Sequence, residues 1–257
     1  MIIGFIGSGN MAAAMARGWM LVGGDDSPEM LFTDSGSGRA TALAEEVGGT
    51  AVAGNDELVK AADFVVLAMK PAALETVAAD LPAPGAILSL LGATTLRQLV
   101  EAFPESQILR LMPNLAVEVG AGVIAVAEAA GADPDTVADA IAQLESLGMV
   151  VRLADDQMDA ATAVMGCSPA YFAAAADALA HAGVAAGLDP DLSVAMVAKA
   201  MAGTAELLAH RTPFEIRVAV ASPGGSTEAG HEAFEAADGA GAFEAAARAS
   251  LARMRGE

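Results

Sequence analysis

A glycine-rich segment near the start of the chain has the residues and the spacing of a dinucleotide-binding turn. The stretch G-F-I-G-S-G-N-M-A (4–12) follows an apolar run typical of a strand and precedes a helical pattern. Gly7 permits a tight turn, Gly9 lets a pyrophosphate approach the backbone, and Ala12 fills the third place of the motif. The amides and the dipole of a helix N-terminus stabilise phosphate charge. The segment therefore predicts a site for a nicotinamide dinucleotide.

An aspartate lies at the end of the next predicted strand. Asp34 follows the motif at about 20 residues, where an acidic residue usually accepts the ribose hydroxyls of NAD and repels a 2′-phosphate. The same stretch also contains Ser35, Ser37 and Arg39, a set of side chains that is able to hold a phosphate. The residues favour NADH slightly and leave NADPH open.

A second cluster of special residues, V-A-S-P-G-G-S-T-E-A-G (220–230), interrupts an alanine-rich region that has a helical pattern. The residues from Ser222 to Gly225 stop one helix, and Ser226 and Thr227 begin another. A loop that ends at a helix N-terminus offers N–H groups and hydroxyl donors to an anion, and glycine lets the backbone come close. The stretch is either an ordinary turn with an N-cap or the floor of an anion-binding pocket. The number of special residues favours the pocket.

Short apolar runs alternate with helical patterns over the first ~150 residues, which is the signature of a parallel α/β sheet. The predicted strands are 2–6, 30–33, 64–69, 86–90, 107–111, 122–126 and 149–153, and the helices between them include 10–21, 39–47 and 134–147. The glycine-rich turn and Asp34 therefore both follow strands of one Rossmann-type sheet.

The strand patterns cease after Leu153. Helices are predicted over 155–164, 169–186, 191–210 and 243–255, with N-terminal turns at Asp155, Asp189 and Asp191. The sequence thus predicts a dinucleotide-binding domain at 1–154 and an all-helical domain at 155–257. Because these helices are apolar on more than one face, we expect them to be buried against another copy of the chain in an oligomer.

The composition limits the possible partners and the location. A net charge of −20 argues against nucleic acid and against an anionic membrane. The single cysteine, Cys167, allows no intrachain disulfide, and no basic segment precedes an apolar one at the N-terminus, so a cytoplasmic location is expected. The longest uncharged stretch, 160–176, contains glycine and proline and is a poor membrane span. No metal-ligand pattern accompanies the three histidines.

The chain resembles the pyrroline-5-carboxylate reductases over nearly its whole length. The resemblance is carried by G-F-I-G-x-G-N-M-A, A-M-K-P (68–71), M-P-N (112–114), S-P-A-Y (168–171) and S-P-G-G-S-T-x-x-G (222–230), which occur in the family's order. It implies a Rossmann domain followed by a helical domain that interlocks in a dimer, with further assembly possible. It also implies the reduction of the cyclic imine 1-pyrroline-5-carboxylate to L-proline with NADPH or NADH, the last step of proline biosynthesis.

The resemblance also implies roles for individual residues. The implied cofactor-binding residues are Gly7, Gly9, Asn10, Met11, Asp34, Ser35, Asn55, Ala68, Met69, Lys70 and Pro71. The implied residues for the substrate carboxylate are Ser222, Gly225, Ser226 and Thr227.

Some positions depart from the family's pattern, which usually has M-P-N-T-P and S-G-S-G-P-A. The departures are Leu115, Ala116, Met165, Cys167, Ser168 and Glu228. Glu228 stands at a position that is normally apolar; a carboxylate in a first helical turn is favoured by the dipole, and the alternative is a polar contact in an altered pocket. The departures leave the expected fold unchanged and the exact imine open.

Hydride transfer needs the protein mainly to place the nicotinamide against the imine carbon and to exclude water. No His–Asp or lysine pair stands at a suitable motif position, and a cyclic imine can be protonated in solution before it binds. Thr227 is therefore the predicted catalytic side chain, which orients the imine nitrogen or relays a proton, although its hydroxyl is a weak acid.

Two alternative functions stay open on these residues. One is a reductase of a different cyclic imine acid, and the other is a non-catalytic nucleotide-binding homologue, against which the intact S-P-G-G-S-T counts. The β-hydroxyacid dehydrogenases share the layout but need a lysine early in the second domain. No lysine lies between Lys70 and Lys199, so this class is disfavoured.

Overall fold

The computed structural model describes the backbone of residues 1–257 and every side chain except that of Asp25. It divides into two compact units, one formed by residues 1–166 with 251–257 and the other by residues 167–250. The first unit contains the sheet, and the second consists of helices and short loops. The limits 1–154 and 155–257 remain a prediction: they mark where the strand pattern ends, whereas the compact units divide after Gly166.

Eight strands form one sheet in the order β3-β2-β1-β4-β5-β6-β7-β8. The strands are β1 (Ile2–Ile6), β2 (Glu29–Thr33), β3 (Thr50–Ala51), β4 (Phe64–Leu67), β5 (Ala86–Ser89), β6 (Gln107–Pro113), β7 (Gly122–Glu128) and β8 (Gly148–Arg152). The strand order reverses beside β1, which lies between β2 and β4. Open α/β sheets bind ligands at such a point.

The sequence predicted seven of these strands and a parallel sheet, and the structure differs from this prediction at β3 and at the pair β6–β7. The two-residue strand β3 was missed because its pattern is too short to read. The pairs are parallel except β6 with β7, which are antiparallel. Only the 3₁₀ helix Leu115–Val119 lies between these two strands. A parallel crossover needs a dozen or more residues, so the chain reverses there.

Twelve α-helices occur along the chain. They are α1 (Asn10–Gly23), α2 (Arg39–Val47), α3 (Asn55–Ala61), α4 (Leu74–Asp80), α5 (Leu96–Ala102), α6 (Pro134–Glu145), α7 (Met158–Ala161), α8 (Ser168–Ala185), α9 (Pro190–Leu208), α10 (Pro213–Val220), α11 (Ser226–Ala236) and α12 (Gly239–Arg255). Helices α1, α2 and α6 contribute to the apolar core on one face of the sheet, and α3, α4 and α5 contribute to the core on the other. The sheet is covered on both faces, as parallel sheets usually are.

The segment predicted as one helix over 155–164 is divided into three. A 3₁₀ turn (Asp155–Gln157) leads into α7, and a π-helical turn (Thr162–Gly166) follows. The Thr162 hydroxyl donates to the carbonyl of Met158 at 2.7 Å, and the amide of Asn114 donates to the carbonyl of Met165 at 3.2 Å. Such side-chain contacts compete with the regular helical ladder and produce the irregular turn.

In the second unit, α8 and α9 form a close antiparallel pair. The Ser193 hydroxyl donates to the carbonyl of Ala180 at 2.8 Å in a buried position. Gly183 makes this approach possible, because a Cβ there would lie 2.3 Å from the Ser193 Oγ. The N-terminus of α9 is capped by Asp189, whose carboxylate accepts from the N–H of Leu192 at 3.0 Å, as the sequence predicted.

One helical run, Asp155–Ala185, is long and apolar enough to cross a membrane by length and composition alone. It is not one regular helix, since it includes the π-helical turn described above. Its first residues are also tied to the sheet, because the carboxylates of Asp155 and Asp159 pair with the buried guanidinium of Arg110.

Candidate cofactor site and substrate loop

A cavity of about 400 Å³ opens where β1, β2 and β4 end. The predicted cofactor residues that line it are Gly7, Gly9, Asp34, Ser35, Asn55, Ala68, Met69 and Lys70. Asn10 and Met11, which begin α1, and Pro71, which begins a 3₁₀ turn, do not line it. Ser8, which lies within the predicted glycine turn, lines the cavity as well. Lining residues absent from the prediction are Ile6, Thr33, Ala73 and Val77. Thr33 could have been found beside Asp34, whereas Ala73 and Val77 carry no chemical signal.

Gly7 holds the floor of the cavity in a conformation that other residues rarely adopt. Its φ is 98°, and its N–H donates to the carbonyl of Thr33 at 3.0 Å. A Cβ at this position would lie 2.7 Å from the backbone nitrogen of Met69. Glycine is therefore required both by the backbone angle and by the close approach of the loop after β4.

The N-terminus of α1 is suited to an anion. Gly9 is its N-cap, no side chain caps the helix there, and the first turn contains no acidic residue. The first N–H groups of a helix have no partner within the helix. These donors and the helix dipole fit the pyrophosphate of a dinucleotide.

Two side-chain hydrogen bonds link the loop after β1 to the end of β2 and the end of β2 to the first residue of α3. The Ser8 hydroxyl donates to the Thr33 carbonyl at 3.1 Å, and the Thr33 hydroxyl donates to Asn55 Oδ1 at 2.7 Å. Because the Asn55 oxygen is held in this way, the orientation of its amide is fixed. Its NH₂ group remains as a donor at the cavity.

The carboxylate of Asp34 is already bound within its own loop. It accepts from the N–H groups of Gly36 at 2.6 Å, Ser37 at 2.9 Å and Ala40 at 2.8 Å, and from the Ser37 hydroxyl at 3.0 Å. These bonds, that from Ala40 above all, lower the pKa of Asp34 from 3.8 to about 2. Four donors occupy the four acceptor positions of a carboxylate. The predicted bond to ribose hydroxyls would therefore compete with the bonds that shape the loop.

The predicted substrate residues lie in the loop between α10 and α11 and in the first turn of α11. Gly224 has a φ of 71°, Gly225 is the N-cap of α11, and the Gly225 N–H donates to the Ser222 carbonyl at 2.8 Å. The side chains of Ser222, Ser226 and Thr227 are exposed, and no side chain caps α11. The loop thus presents hydroxyl groups beside a helix N-terminus, as its sequence indicated.

The departing residue Glu228 contacts this loop. Its Oε2 accepts from the Gly224 N–H at 2.6 Å. A carboxylate of the chain itself therefore binds a backbone donor of the segment that was predicted to receive the substrate carboxylate.

The two other departing segments meet through Asn114, which is buried. Asn114 donates to the Met165 carbonyl at 3.2 Å and accepts from the Val123 N–H at 3.1 Å. Leu115, next in the chain, is half exposed. The altered M-P-N-L-A segment and the altered turn before Pro169 are thus neighbours, which their sequence separation did not reveal.

Arg110 is a structural residue that the motifs did not indicate. Its guanidinium is buried and donates to Asp155 Oδ1 at 2.8 Å, while Asp159 accepts from the same side chain at 3.4 Å. The only signal was an arginine within an apolar strand, Q-I-L-R-L. Arg110 ties β6 to the first turns that follow β8.

Other reactive side chains form no comparable site. Cys167 is partly buried before α8. Among the side chains that the structure describes, no three of His, Cys, Asp or Glu are grouped in a way that could hold a metal ion.

Comparison with known proteins agrees with this architecture. Residues 155–257 match the family model described as pyrroline-5-carboxylate reductase dimerisation, and residues 2–90 match the model described as coenzyme F420-dependent NADP oxidoreductase. The pyrroline-5-carboxylate reductase of Synechocystis sp. is 34% identical, over 98% of this chain and 97% of its own. The chain belongs to the pyrroline-5-carboxylate reductase family.

Two further relatives extend the comparison. The pyrroline-5-carboxylate reductase of Pisum sativum is 34% identical, over 90% of this chain and 86% of its own. The solved 1-pyrroline-5-carboxylate reductase of Streptococcus pyogenes has a TM-score of 0.90 and 26% identity, and the match covers 100% of this chain and 99% of that one. The family predicted from the motifs is confirmed, and so is a Rossmann-type sheet followed by a helical domain.

Proposed function

We infer that this chain is an NAD(P)H-dependent oxidoreductase that reduces 1-pyrroline-5-carboxylate to L-proline. The observation that carries this inference is the 34% identity to a pyrroline-5-carboxylate reductase along nearly the full length of both chains. The glycine turn, the uncapped α1 and the cavity beside them support the cofactor requirement. NAD(P)H supplies the hydride for the imine carbon. The role of the chain's own residues is to hold and orient the two reactants.

We propose NADPH as the preferred cofactor, against the slight preference for NADH that the sequence suggested. Asp34 is occupied by its own loop, and that loop places Ser35, Ser37 and Arg39 at the cavity. The Ser35 hydroxyl and the Arg39 guanidinium fit a 2′-phosphate. The Ser37 hydroxyl already donates to Asp34, and the bound carboxylate has no acceptor position to spare for ribose hydroxyls.

We propose that Ser222, Gly225, Ser226 and Thr227 bind the substrate carboxylate and that Thr227 orients the imine. The support is chemical: three exposed hydroxyls and the N–H groups of an uncapped helix lie on one short segment. These donors match a carboxylate. The Thr227 hydroxyl can also hold the imine nitrogen, which needs a proton before or during hydride transfer.

The first test compares the wild type with Thr227→Ala and Thr227→Ser in the oxidation of NADPH by 1-pyrroline-5-carboxylate. We expect the alanine variant to lose at least tenfold in kcat, and the serine variant to retain most of the rate because the hydroxyl remains. The Kd for NADPH, measured by fluorescence titration, should not change. If the wild type binds NADPH and does not reduce the imine, the proposed function is wrong.

We propose a homodimer formed through the helices of the second unit. These helices expose large apolar side chains, including Phe172, Leu179, Met196, Phe214 and Val218. A groove of about 680 Å³ between α8 and α9 is lined almost entirely by apolar residues. Exposed apolar patches of this kind mark association surfaces. Light scattering at several concentrations should give twice the chain mass or a multiple of it, and Leu179→Glu should shift the population toward monomer.

We further propose that the protein is soluble and cytoplasmic. The apolar run Asp155–Ala185 lies within the matched dimerisation region, so a second copy rather than a membrane accounts for its exposed apolar side chains. After expression, the protein should remain in the supernatant of a high-speed spin without detergent.

A further inference from the structure

Glu228 is one of the residues that depart from the family pattern, and its side chain accepts a hydrogen bond from the proposed substrate loop. The bond from the Gly224 N–H to Glu228 Oε2 is 2.6 Å long, a short and well-formed contact. Gly224 lies two residues after Ser222 and next to Gly225, both of which we propose to be part of the carboxylate site. Glu228 therefore accepts from an N–H group within the segment that we propose to bind the substrate carboxylate.

The charge of Glu228 is not neutralised by a basic side chain. Among the residues that the structure describes, no lysine or arginine pairs with it. Arg217, the basic residue of α10, approaches His231 at 3.4 Å and lies over the ring of Phe214. The helix dipole and the loop N–H groups are therefore what stabilise the Glu228 carboxylate, and a substrate carboxylate needs the same groups.

We propose that Glu228 is a specificity-determining residue, which weakens binding of the acid group and so extends the substrates to cyclic imines without a carboxylate. This proposal rests on the proposed function. An acidic imine must approach or displace a carboxylate of the protein, and like charges at one set of donors repel each other. An uncharged pyrroline ring meets no such repulsion. Selectivity for the acid is thereby reduced at the binding step.

Two substitutions separate the charge of Glu228 from its support of the loop. Glu228→Gln keeps an oxygen that can accept from Gly224 and removes the charge, whereas Glu228→Leu removes both. Glu232→Gln is the matched control, because Glu232 is an exposed residue one turn further along α11 and makes the same change in net charge. Thermal unfolding midpoints are recorded for every variant, so that loss of folding is recognised.

The experiment measures kcat and KM for 1-pyrroline-5-carboxylate and for 1-pyrroline, at saturating NADPH, with the wild type and the three variants. We expect Glu228→Gln to lower KM for the acid by roughly tenfold, the scale of one repulsive charge pair near a surface. The KM of Glu228→Gln for 1-pyrroline should stay within about twofold of the wild-type value. Glu232→Gln should leave kcat and KM unchanged for both substrates.

Each other result has a distinct meaning. If KM for the acid is unchanged or rises in Glu228→Gln, the residue does not oppose the substrate carboxylate and the proposal is wrong. Equal changes for both imines overturn it as well, because they indicate an effect on the loop and not on charge recognition. If the wild type binds NADPH and reduces neither imine, the proposed function itself fails, and this inference fails with it.

Discussion

Replacement of Asp34 by asparagine distinguishes two roles for this carboxylate. Its oxygens accept from Ser37 and from the N–H of Ala40, a buried residue at the start of α2. Asparagine keeps one acceptor oxygen for the turn, but its NH₂ group cannot accept from Ala40. A buried N–H without a partner costs about 1–3 kcal/mol. We therefore expect Asp34→Asn to lower the free energy of unfolding by about 1–3 kcal/mol, measured by urea denaturation at pH 7.

The pKa of Asp34 gives a second measure of the same effect. Lowering the pKa of Asp34 from 3.8 to about 2 corresponds to at most ~2.5 kcal/mol of stability, and partial exposure of the side chain reduces this toward ~1 kcal/mol. Because the folded-state pKa lies below the unfolded-state value, the stabilisation is fully present above about pH 4 and is lost as the pH falls toward 2. The difference between wild type and Asp34→Asn should be constant from pH 7 to 5 and should shrink below pH 4.

Cofactor kinetics of the same variant decide between the roles. If Asp34 shapes the loop, the KM values for NADH and NADPH both rise, because Ser35 and Arg39 lose their placement. If the carboxylate binds ribose hydroxyls, KM for NADH rises and KM for NADPH falls, since repulsion of the 2′-phosphate is removed. Asp80→Asn, an exposed position at the end of α4, is the control. Unchanged stability together with a lower KM for NADPH would refute the reasoning.

Three further substitutions test other parts of the first unit. Gly7→Ala should raise the Kd for NADPH at least tenfold in fluorescence titration, because φ is 98° and a Cβ meets backbone atoms at 2.7 Å; unchanged affinity would contradict the assignment. Ala93→Gly should stabilise the protein by ~0.5–1 kcal/mol in urea denaturation, since Ala93 has a φ of 55°; a loss of stability would show that the loop is unstrained. Arg110→Met should cost about 2–4 kcal/mol, because Asp155 and Asp159 lose their partner; a thermal midpoint equal to that of the wild type would contradict this.

Most elements could be predicted because their signals are local. Helix α2 has the predicted bounds, Arg39–Val47, and ends at Gly48 in a left-handed conformation. Helix α9 begins where Asp189 caps it. The sequence predicted that a helix ends before Ser222, as α10 does at Val220, but it did not predict where that helix begins, although Thr212 and Glu215 form a capping box there.

The candidate site was predicted in part. The turn at Gly7 and the strand ends were located from their motif, and the cavity brings most of the predicted cofactor residues together. Asn10, Met11 and Pro71 are neighbours of cavity-lining residues along the chain but do not line the cavity themselves. Their assignment to the cofactor stays a prediction. The roles assigned to Ser222, Gly225, Ser226 and Thr227 stay predictions.

The amino-acid sequence by itself determined the order of most strands and helices, the glycine turn, the S-P-G-G-S-T loop and the family, since each depends on residue types at short spacing. Only the tertiary structure decided that β6 and β7 are antiparallel, that Asn114 holds the carbonyl of Met165, and that Arg110 pairs with Asp155. It also decided that the acceptors of Asp34 are occupied. The physical reason is that a polar group takes whichever partner the packed backbone brings within hydrogen-bond distance, and that choice is made only when distant segments meet.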